Sequence, residues 1–309
     1  LPSGALSIGL QRRRSKGTPK GRLKRAANSR ASETGSATKR LIAQLEKESS
    51  MSGLFDISGK VAIVTGGTRG IGKMIAAGFV RAGVKTYITS RKQDACEATQ
   101  CMLSAHGECI AIASDLSSTA GIREYSDWVL DREGHIDILV NNAGATWGEA
   151  LDTFPEDGWD RVMDINLKAP FFLTQFLLPA LRRAAKKNGG ARVINVGSIE
   201  GSTLPVVRDS FAYPASKAGM HHLTRVLAGT LAREKITVNT IAPGPFRSKM
   251  TEFLLGDEEG LAQLTSRIPI GRIGEATDII GLSVFLASRG ADYITGETIH
   301  LDGGYVHAR

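Results

Sequence analysis

The sequence predicts an α/β fold: a single doubly wound Rossmann domain in which a seven-stranded parallel sheet carries helices on both faces. Three observations support this. Beyond residue 50, short β-branched and apolar runs alternate with longer helical stretches, the pattern of parallel strands joined by crossover helices. The first run, Val61 to Val64, leads directly into Thr65-Gly66-Gly67-Thr68-Arg69-Gly70-Ile71-Gly72, a strand turning into a helix through glycine-rich backbone. No repeat or low-complexity linker interrupts residues 51–309, so one domain accounts for them.

In order along the chain, residues 1–50 carry 12 Lys and Arg against 3 Asp and Glu, and residues 51–309 carry 27 against 28. The formal charge of +8 therefore belongs to the leader. Arg12-Arg13-Arg14, Lys16, Lys20, Arg22, Lys24 and Arg25 sit among Ser, Gly and Thr, with too little apolar content to build a core, and a disordered segment is expected. Three readings are open for it: an artefactual or upstream start, a basic transit segment, or a nucleic-acid-binding arm. Met51-Ser52-Gly53-Leu54-Phe55 reads as a natural chain start. The near-neutral body gives no reason to expect nucleic acid as a partner of residues 51–309.

Strands are expected near residues 60–65, 85–90, 108–113, 136–141, 191–197, 237–242 and 297–301. The apolar run Phe171 to Leu181 is interrupted by Thr174, Gln175 and Pro179 and falls well short of the roughly 20 residues a bilayer span needs. It reads as a core or interface helix, and no membrane partner is expected. Cys96, Cys101 and Cys109 form no CxxC pair and have no histidines at metal spacing. Reduced, buried thiols are expected, with neither a disulfide framework nor a metal site.

Ligands of doubly wound sheets gather beyond the carboxyl ends of the strands, and the candidate motifs fall there. Around Thr68 and Ile71, Gly66, Gly70 and Gly72 allow a tight turn and close approach to a pyrophosphate, which would face the free N–H groups of the following helix. The second strand ends in Ser90-Arg91-Lys92, where an NAD-selective site would place a carboxylate for the ribose hydroxyls. Arg91, helped by Arg69, suits a 2′-phosphate instead, which predicts NADP(H) over NAD(H). Asp115-Leu116 after the third strand would bound an adenine pocket. In Asn141-Asn142-Ala143-Gly144 after the fourth, side-chain amides can tie neighbouring strands while small residues leave room for a cofactor.

Tyr213-Pro214-Ala215-Ser216-Lys217 puts a phenol and an ammonium four residues apart, on one helix face. Pro214 is tolerated in a first helical turn. A nearby Lys⁺ and an oxidised nicotinamide would favour phenolate and bring Tyr213 from about 10 towards working pH as a general acid or base. Ser198, just past the fifth strand, could donate a hydrogen bond to a substrate oxygen.

On these residues the chain from about Leu54 to Tyr305 resembles a short-chain dehydrogenase/reductase. The resemblance covers the glycine turn at Gly66, Gly70 and Gly72, the adenine-pocket acid Asp115, Asn141 to Gly144, and a tetrad of Asn166, Ser198, Tyr213 and Lys217. It implies that Tyr213 protonates a carbonyl oxygen, Ser198 orients it, Lys217 holds the nicotinamide ribose and lowers the tyrosine pKa, and Asn166 organises a water relay. Pro243-Gly244 resembles the family's turn beside the nicotinamide carboxamide, with Ser248 where a threonine is common. Leu54 to Lys60, Ala145-Thr146-Trp147-Gly148 and Gly303-Gly304 are most similar to 3-oxoacyl-[acyl-carrier-protein] reductases, including the rhamnolipid-associated type. They also resemble gluconate and sugar-alcohol dehydrogenases.

Apolar Trp147, Leu204, Val206, Val207 and Phe246 favour an acyl chain over a polyol. The expected reaction is hydride transfer from NADPH to a carbonyl, converting a 3-oxoacyl thioester to its 3-hydroxyacyl form. An acyl carrier protein is the expected macromolecular partner, with Arg182, Arg183, Lys186, Lys187 and Arg192 as a docking patch; the bland reading of these residues is a helix C-terminus complementing its dipole. The resemblance also implies a homodimer or homotetramer using Phe171 to Leu181 and the helix after Tyr213. The expected location is the cytoplasm, or an organelle if the leader is a transit segment. A non-catalytic cofactor-sensing or scaffold protein is the competing class, and the intact tetrad speaks against it.

Overall fold

Every predicted strand forms within one or two residues of its expected place. The computed structural model describes residues 51–205, 209–247 and 258–308, and residues 54–309 form one unit. The strands are β1 (Val61–Thr65), β2 (Lys85–Ser90), β3 (Cys109–Ala113), β4 (Ile138–Asn141), β5 (Ala191–Val196), β6 (Ile236–Pro243) and β7 (Thr298–Leu301). They form one sheet in the order β3-β2-β1-β4-β5-β6-β7, and every pairing is parallel. After a short turn of helix at Met51–Leu54, the longer helices are α1 (Gly70–Arg81), α2 (Gln93–Ser104), α3 (Thr119–Leu130), α4 (Glu156–Met163), α5 (Ala169–Asn188), α6 (Ala212–Leu231), α7 (Glu258–Thr265) and α8 (Ala276–Ala287).

The strands read as continuous apolar runs because both sheet faces are covered. Successive side chains of β1 point to opposite faces, so Val61 and Ile63 join one core cluster while Ala62 and Val64 join the other. The first cluster gathers Tyr125 and Val129 of α3 with Leu173, Leu177 and Leu181 of α5. The second gathers Ile75 and Phe79 of α1 with Ile279 and Leu286 of α8. The run Phe171 to Leu181 therefore buries one stripe of α5, while Phe171 is exposed on the other side. That helix ends at Gly189, whose φ of 81° closes it in the left-handed conformation.

Two features depart from expectation. Cys96 and Cys109 are buried as predicted, but Cys101 lies on the exposed face of α2. Between α4 and α5 the chain forms a π-helical turn over Asp164–Lys168, a wide turn often found at functional sites. Among the described residues no helix is long and apolar enough to cross a membrane, and no group of His, Cys, Asp and Glu could hold a metal ion.

The sheet order turns back at β1, whose neighbours are β2 on one side and β4 on the other. The crevice beyond the carboxyl ends of β1 and β4 is the switch point where such sheets bind ligands.

Candidate active site

At that crevice β1 runs through Thr65 into a turn in which Gly66 and Gly70 both take positive φ, 65° and 52°. A Cβ on Gly66 would stand 2.9 Å from Asn142 Nδ2, and one on Gly72 would run into the same amide and into the Gly66 carbonyl. The glycine turn and the Asn-Asn loop thus pack back to back. Thr65 Oγ1 accepts from the backbone N–H groups of Asn142 and Ala143, each at 2.9 Å. Asn142 Nδ2 donates to the Thr65 carbonyl at 2.8 Å. One residue earlier, Asn141 Nδ2 donates to Asn195 Oδ1 of β5 at 2.8 Å, the inter-strand tie that the sequence predicted.

The first turn of α1 has no capping side chain and no acidic residue, which leaves its N–H groups for an external anion. Gly67 N–H donates to the Thr89 carbonyl at 3.2 Å, holding the turn, with Thr68 and Ile71, beside the end of β2. Ser90, Arg91 and Lys92 follow there. Arg69, Arg91 and Lys92 are exposed, and none forms an ion pair with a described residue. Asp115 follows β3, its carboxylate accepting from Ser117 N–H at 3.0 Å. Leu116 follows it with its side chain buried in the core, 4% exposed, so that its backbone is what it can offer an adenine. At the far side Pro243 ends β6, and Gly244 N–H donates to the Leu301 carbonyl at 2.9 Å. Ser248 lies outside the described residues. An uncapped helix start, a turn with no room for side chains and three exposed cations with no ion pair among the described residues fit a dinucleotide bearing an extra phosphate.

The four predicted catalytic residues come from three separate elements and meet beyond β4 and β5. Asn166 lies in the π-helical turn and is fully buried. Its Oδ1 accepts from Ala145 N–H at 2.9 Å; its Nδ2 donates to the Ala145 carbonyl at 3.0 Å and to Ser216 Oγ at 2.9 Å. Ser216 Oγ donates in turn to the Tyr213 carbonyl at 2.7 Å. Asn166 therefore clamps the loop after Gly144 to the first turn of α6. Ser198 caps the short helical turn Ile199–Gly201 and accepts from Glu200 N–H at 3.2 Å. Lys217 Nζ donates to the Val196 carbonyl at 2.8 Å and stands 5.6 Å from the Tyr213 ring centroid.

Burial dominates the electrostatics of this group. Burial pushes the Tyr213 phenol up to about 12, the hydrogen bond with Ser198 pulls it down, and the Glu200 carboxylate adds to the rise. The Lys217 ammonium is turned to the Val196 carbonyl of β5 and is itself brought down to about 8 by burial. At neutral pH the site therefore holds a protonated phenol beside a lysine that is still mostly cationic.

The substrate-side expectations divide. Trp147 lies over Gly158 of α4, where a Cβ would meet its ring at 2.9 Å, and the Arg161 guanidinium sits 5.7 Å from the ring centroid. Leu204 is exposed; Val206 and Val207 lie outside the described residues. Phe246 is buried at 2% exposure, and its ring occupies the space a side chain at Gly274 would need. Phe154 and Phe211, missed in the sequence, stack edge-on with centroids 5.7 Å apart, and Phe211 precedes Tyr213 by two residues.

The docking patch also changes. Arg192 is 4% exposed within β5 and binds Asp292 and the Ser288 carbonyl, because its position in the strand points it under α8. Arg182 is already forked onto Glu234 at 2.5 and 2.8 Å, and Arg183 donates to the Gly134 carbonyl.

Other unforeseen residues support the site from below. Asn195 Nδ2 donates to Thr224 Oγ1 at 2.8 Å, and Thr224 shares a hydrogen bond with Thr240 at 2.6 Å. The available signal was polar side chains at strand positions flanked by apolar ones, as in Val193-Ile194-Asn195-Val196.

With this fold, a phenol, a hydroxyl and an ammonium set against a glycine phosphate turn define a dinucleotide-dependent oxidoreductase. A family model described as enoyl-(acyl carrier protein) reductase matches residues 66–306, and the chain belongs to the short-chain dehydrogenase/reductase family. It is 44% identical over 251 residues to the rhamnolipids biosynthesis 3-oxoacyl-[acyl-carrier-protein] reductase of Pseudomonas aeruginosa, covering 81% of this chain and 98% of that one. It is 36% identical over 256 residues to the 2-dehydro-3-deoxy-D-gluconate 5-dehydrogenase of Escherichia coli, covering 82% and 97%. The solved Pseudomonas aeruginosa RhlG/NADP active-site complex matches with a TM-score of 0.79 at 44% identity, covering 82% of this chain and 98% of that one.

Proposed function

We propose that this chain is an NADPH-dependent reductase that converts a 3-oxoacyl thioester to its 3-hydroxyacyl form. The observation that carries the reading is the grouping of Tyr213 with Ser198, its hydrogen-bond partner, and Lys217 in a fold whose glycine turn is followed by the exposed cations Arg69 and Arg91. Bound NADPH supplies the hydride. Tyr213 Oη donates its proton to the carbonyl oxygen as charge develops there, and Ser198 Oγ orients the same oxygen. Lys217 keeps a positive charge beside this wall, and Asn166 fixes the loop after Gly144.

The choice of NADPH rests on Arg69, Arg91 and Lys92 with no carboxylate at the end of β2, and on the relative solved with NADP. The thioester rests on Trp147, Phe154 and Phe211 beside the site and on the relative at 44% identity. A sugar-acid substrate is the second reading, supported by the relative at 36% identity. Residues 51–309 are proposed to work as a cytoplasmic homodimer or homotetramer, and residues 1–50 as a separate basic leader. Carrier docking is reduced to Lys186 and Lys187 with Arg182 and Arg183 in a secondary role. Reversal of Lys186 and Lys187 to Glu is expected to weaken turnover of carrier-linked substrates alone.

The test is nicotinamide absorbance with NADPH or NADH against a 3-oxoacyl thioester and a keto-sugar acid. NADPH oxidation with the thioester supports the reading; NADH oxidation with the sugar acid overturns it. Tyr213→Phe is expected to abolish turnover while NADPH still binds, and near-normal activity would remove Tyr213 from the chemistry.

A further inference from the structure

We propose that His221 is a positioning residue for Ser198, held by a directional hydrogen-bond chain that runs from His221 through Ser202 and His300 to His307 near the C-terminus. His221 lies one turn beyond Lys217 on α6 and is 4% exposed. Its ring is wedged beneath the corner that carries Ser198. A Cβ at Gly197 would run into Nε2, and one at Gly201 would stand 2.6 Å from Cε1. The residues on either side of the Ser198 turn are thus glycines where the imidazole needs the space.

The links are all present. His221 Nδ1 is 3.4 Å from Ser202 Oγ, that hydroxyl is 2.9 Å from His300 Nε2, and His300 Nδ1 is 3.3 Å from His307 Nε2. His221 Nε2 has no hydrogen-bond partner among the described residues. A buried N–H without an acceptor is rarer and costlier than an unused lone pair, which places the His221 proton on Nδ1. The remaining directions follow, because each link needs one donor and one acceptor. His221 donates to Ser202, Ser202 donates to His300 Nε2, and His300 donates from Nδ1 to His307. The ring stays neutral, since burial, His300, Lys217 and Arg225 bring it down to about 4. Burial and His307 likewise lower His300 against the opposing pull of Asp302. The chain ties the Ser198 turn to β7 and the C-terminal segment.

Packing alone and positioning make opposite predictions. His221→Leu fills the slot but has no donor, whereas His221→Asn is smaller and retains one near the Nδ1 position. We expect Leu to lower kcat about 10- to 100-fold, the range a misplaced reacting group produces, with KM and NADPH binding little changed, and Asn to recover most of the loss. Ser202→Ala should reproduce the Leu effect, and the double variant should be no worse than either. Leu performing as well as Asn, or losses that add, overturns the proposal.

The turnover arm, with acetoacetyl-coenzyme A and NADPH, rests on the proposed carbonyl reduction. A second arm does not: imidazole nitrogen NMR of the protein, which has 6 histidines. It should show His221 as the Nδ1–H tautomer, with that signal disturbed by Ser202→Ala. An Nε2–H tautomer, or a signal indifferent to Ser202, overturns the chain even if the thioester proves to be the wrong substrate.

Discussion

Thr65→Val removes one oxygen and keeps nearly the same shape, at a residue only 2% exposed. That oxygen accepts from the N–H groups of Asn142 and Ala143, each at 2.9 Å. Each donor stranded by the change costs about 1–3 kcal/mol if buried. Asn142 and Ala143 are half-buried, so water restores part of the loss, and the pair together should cost about 2–3 kcal/mol. For a domain of this size that corresponds to a Tm lower by about 4–12 °C. Thr65→Ser keeps the hydroxyl, gives up one methyl and should cost about 1 kcal/mol. Because Asn142 also contacts Gly66 and Gly72, the valine variant should bind NADPH more weakly than the serine variant. Thermal unfolding with and without NADPH, alongside a fluorescence titration of the nucleotide, reads both effects. A valine variant as stable as the serine one would refute the argument that this hydroxyl holds the crevice wall.

Three further outcomes are expected. Arg91→Ala should raise KM for NADPH about tenfold, the loss of one charge-assisted hydrogen bond, and leave NADH kinetics unchanged; an equal change with both would remove Arg91 from phosphate recognition. Gly72→Ala drives a methyl into Asn142 Nδ2 and the Gly66 carbonyl, at a cost of about 1–3 kcal/mol, and should abolish nucleotide binding first; a variant that binds normally would show that the turn has slack. Lys217 has its folded pKa lowered to about 8 from 10.5 by burial, so between those values the folded state holds fewer protons than the unfolded one. The wild type should therefore gain stability relative to Lys217→Met as pH rises from about 8 to 10.5, and denaturant unfolding curves that stay parallel would contradict the burial of that charge.

Much of the fold was legible locally. A buried parallel strand needs an apolar run, and a phosphate turn needs glycine where a Cβ would collide. Val61 to Val64 and Gly66 to Gly72 follow from such nearest-neighbour requirements. Tyr213 and Lys217 were legible because four residues of helix bring them to one face. Arg192 was misread because a cation near a helix end and a cation within a strand look alike in sequence.

What the sequence by itself determined is the strand order of chemistry along the chain: the glycine turn after β1, the cations after β2, the amides after β4, Ser198 after β5, and the phenol and ammonium on α6. Only the tertiary structure decided how those groups act on one another. Desolvation and hydrogen bonding depend on what surrounds an atom in space, so the raised Tyr213 phenol, the lowered Lys217 ammonium, the clamp made by Asn166 and the His221 chain all come from contacts between residues far apart in sequence.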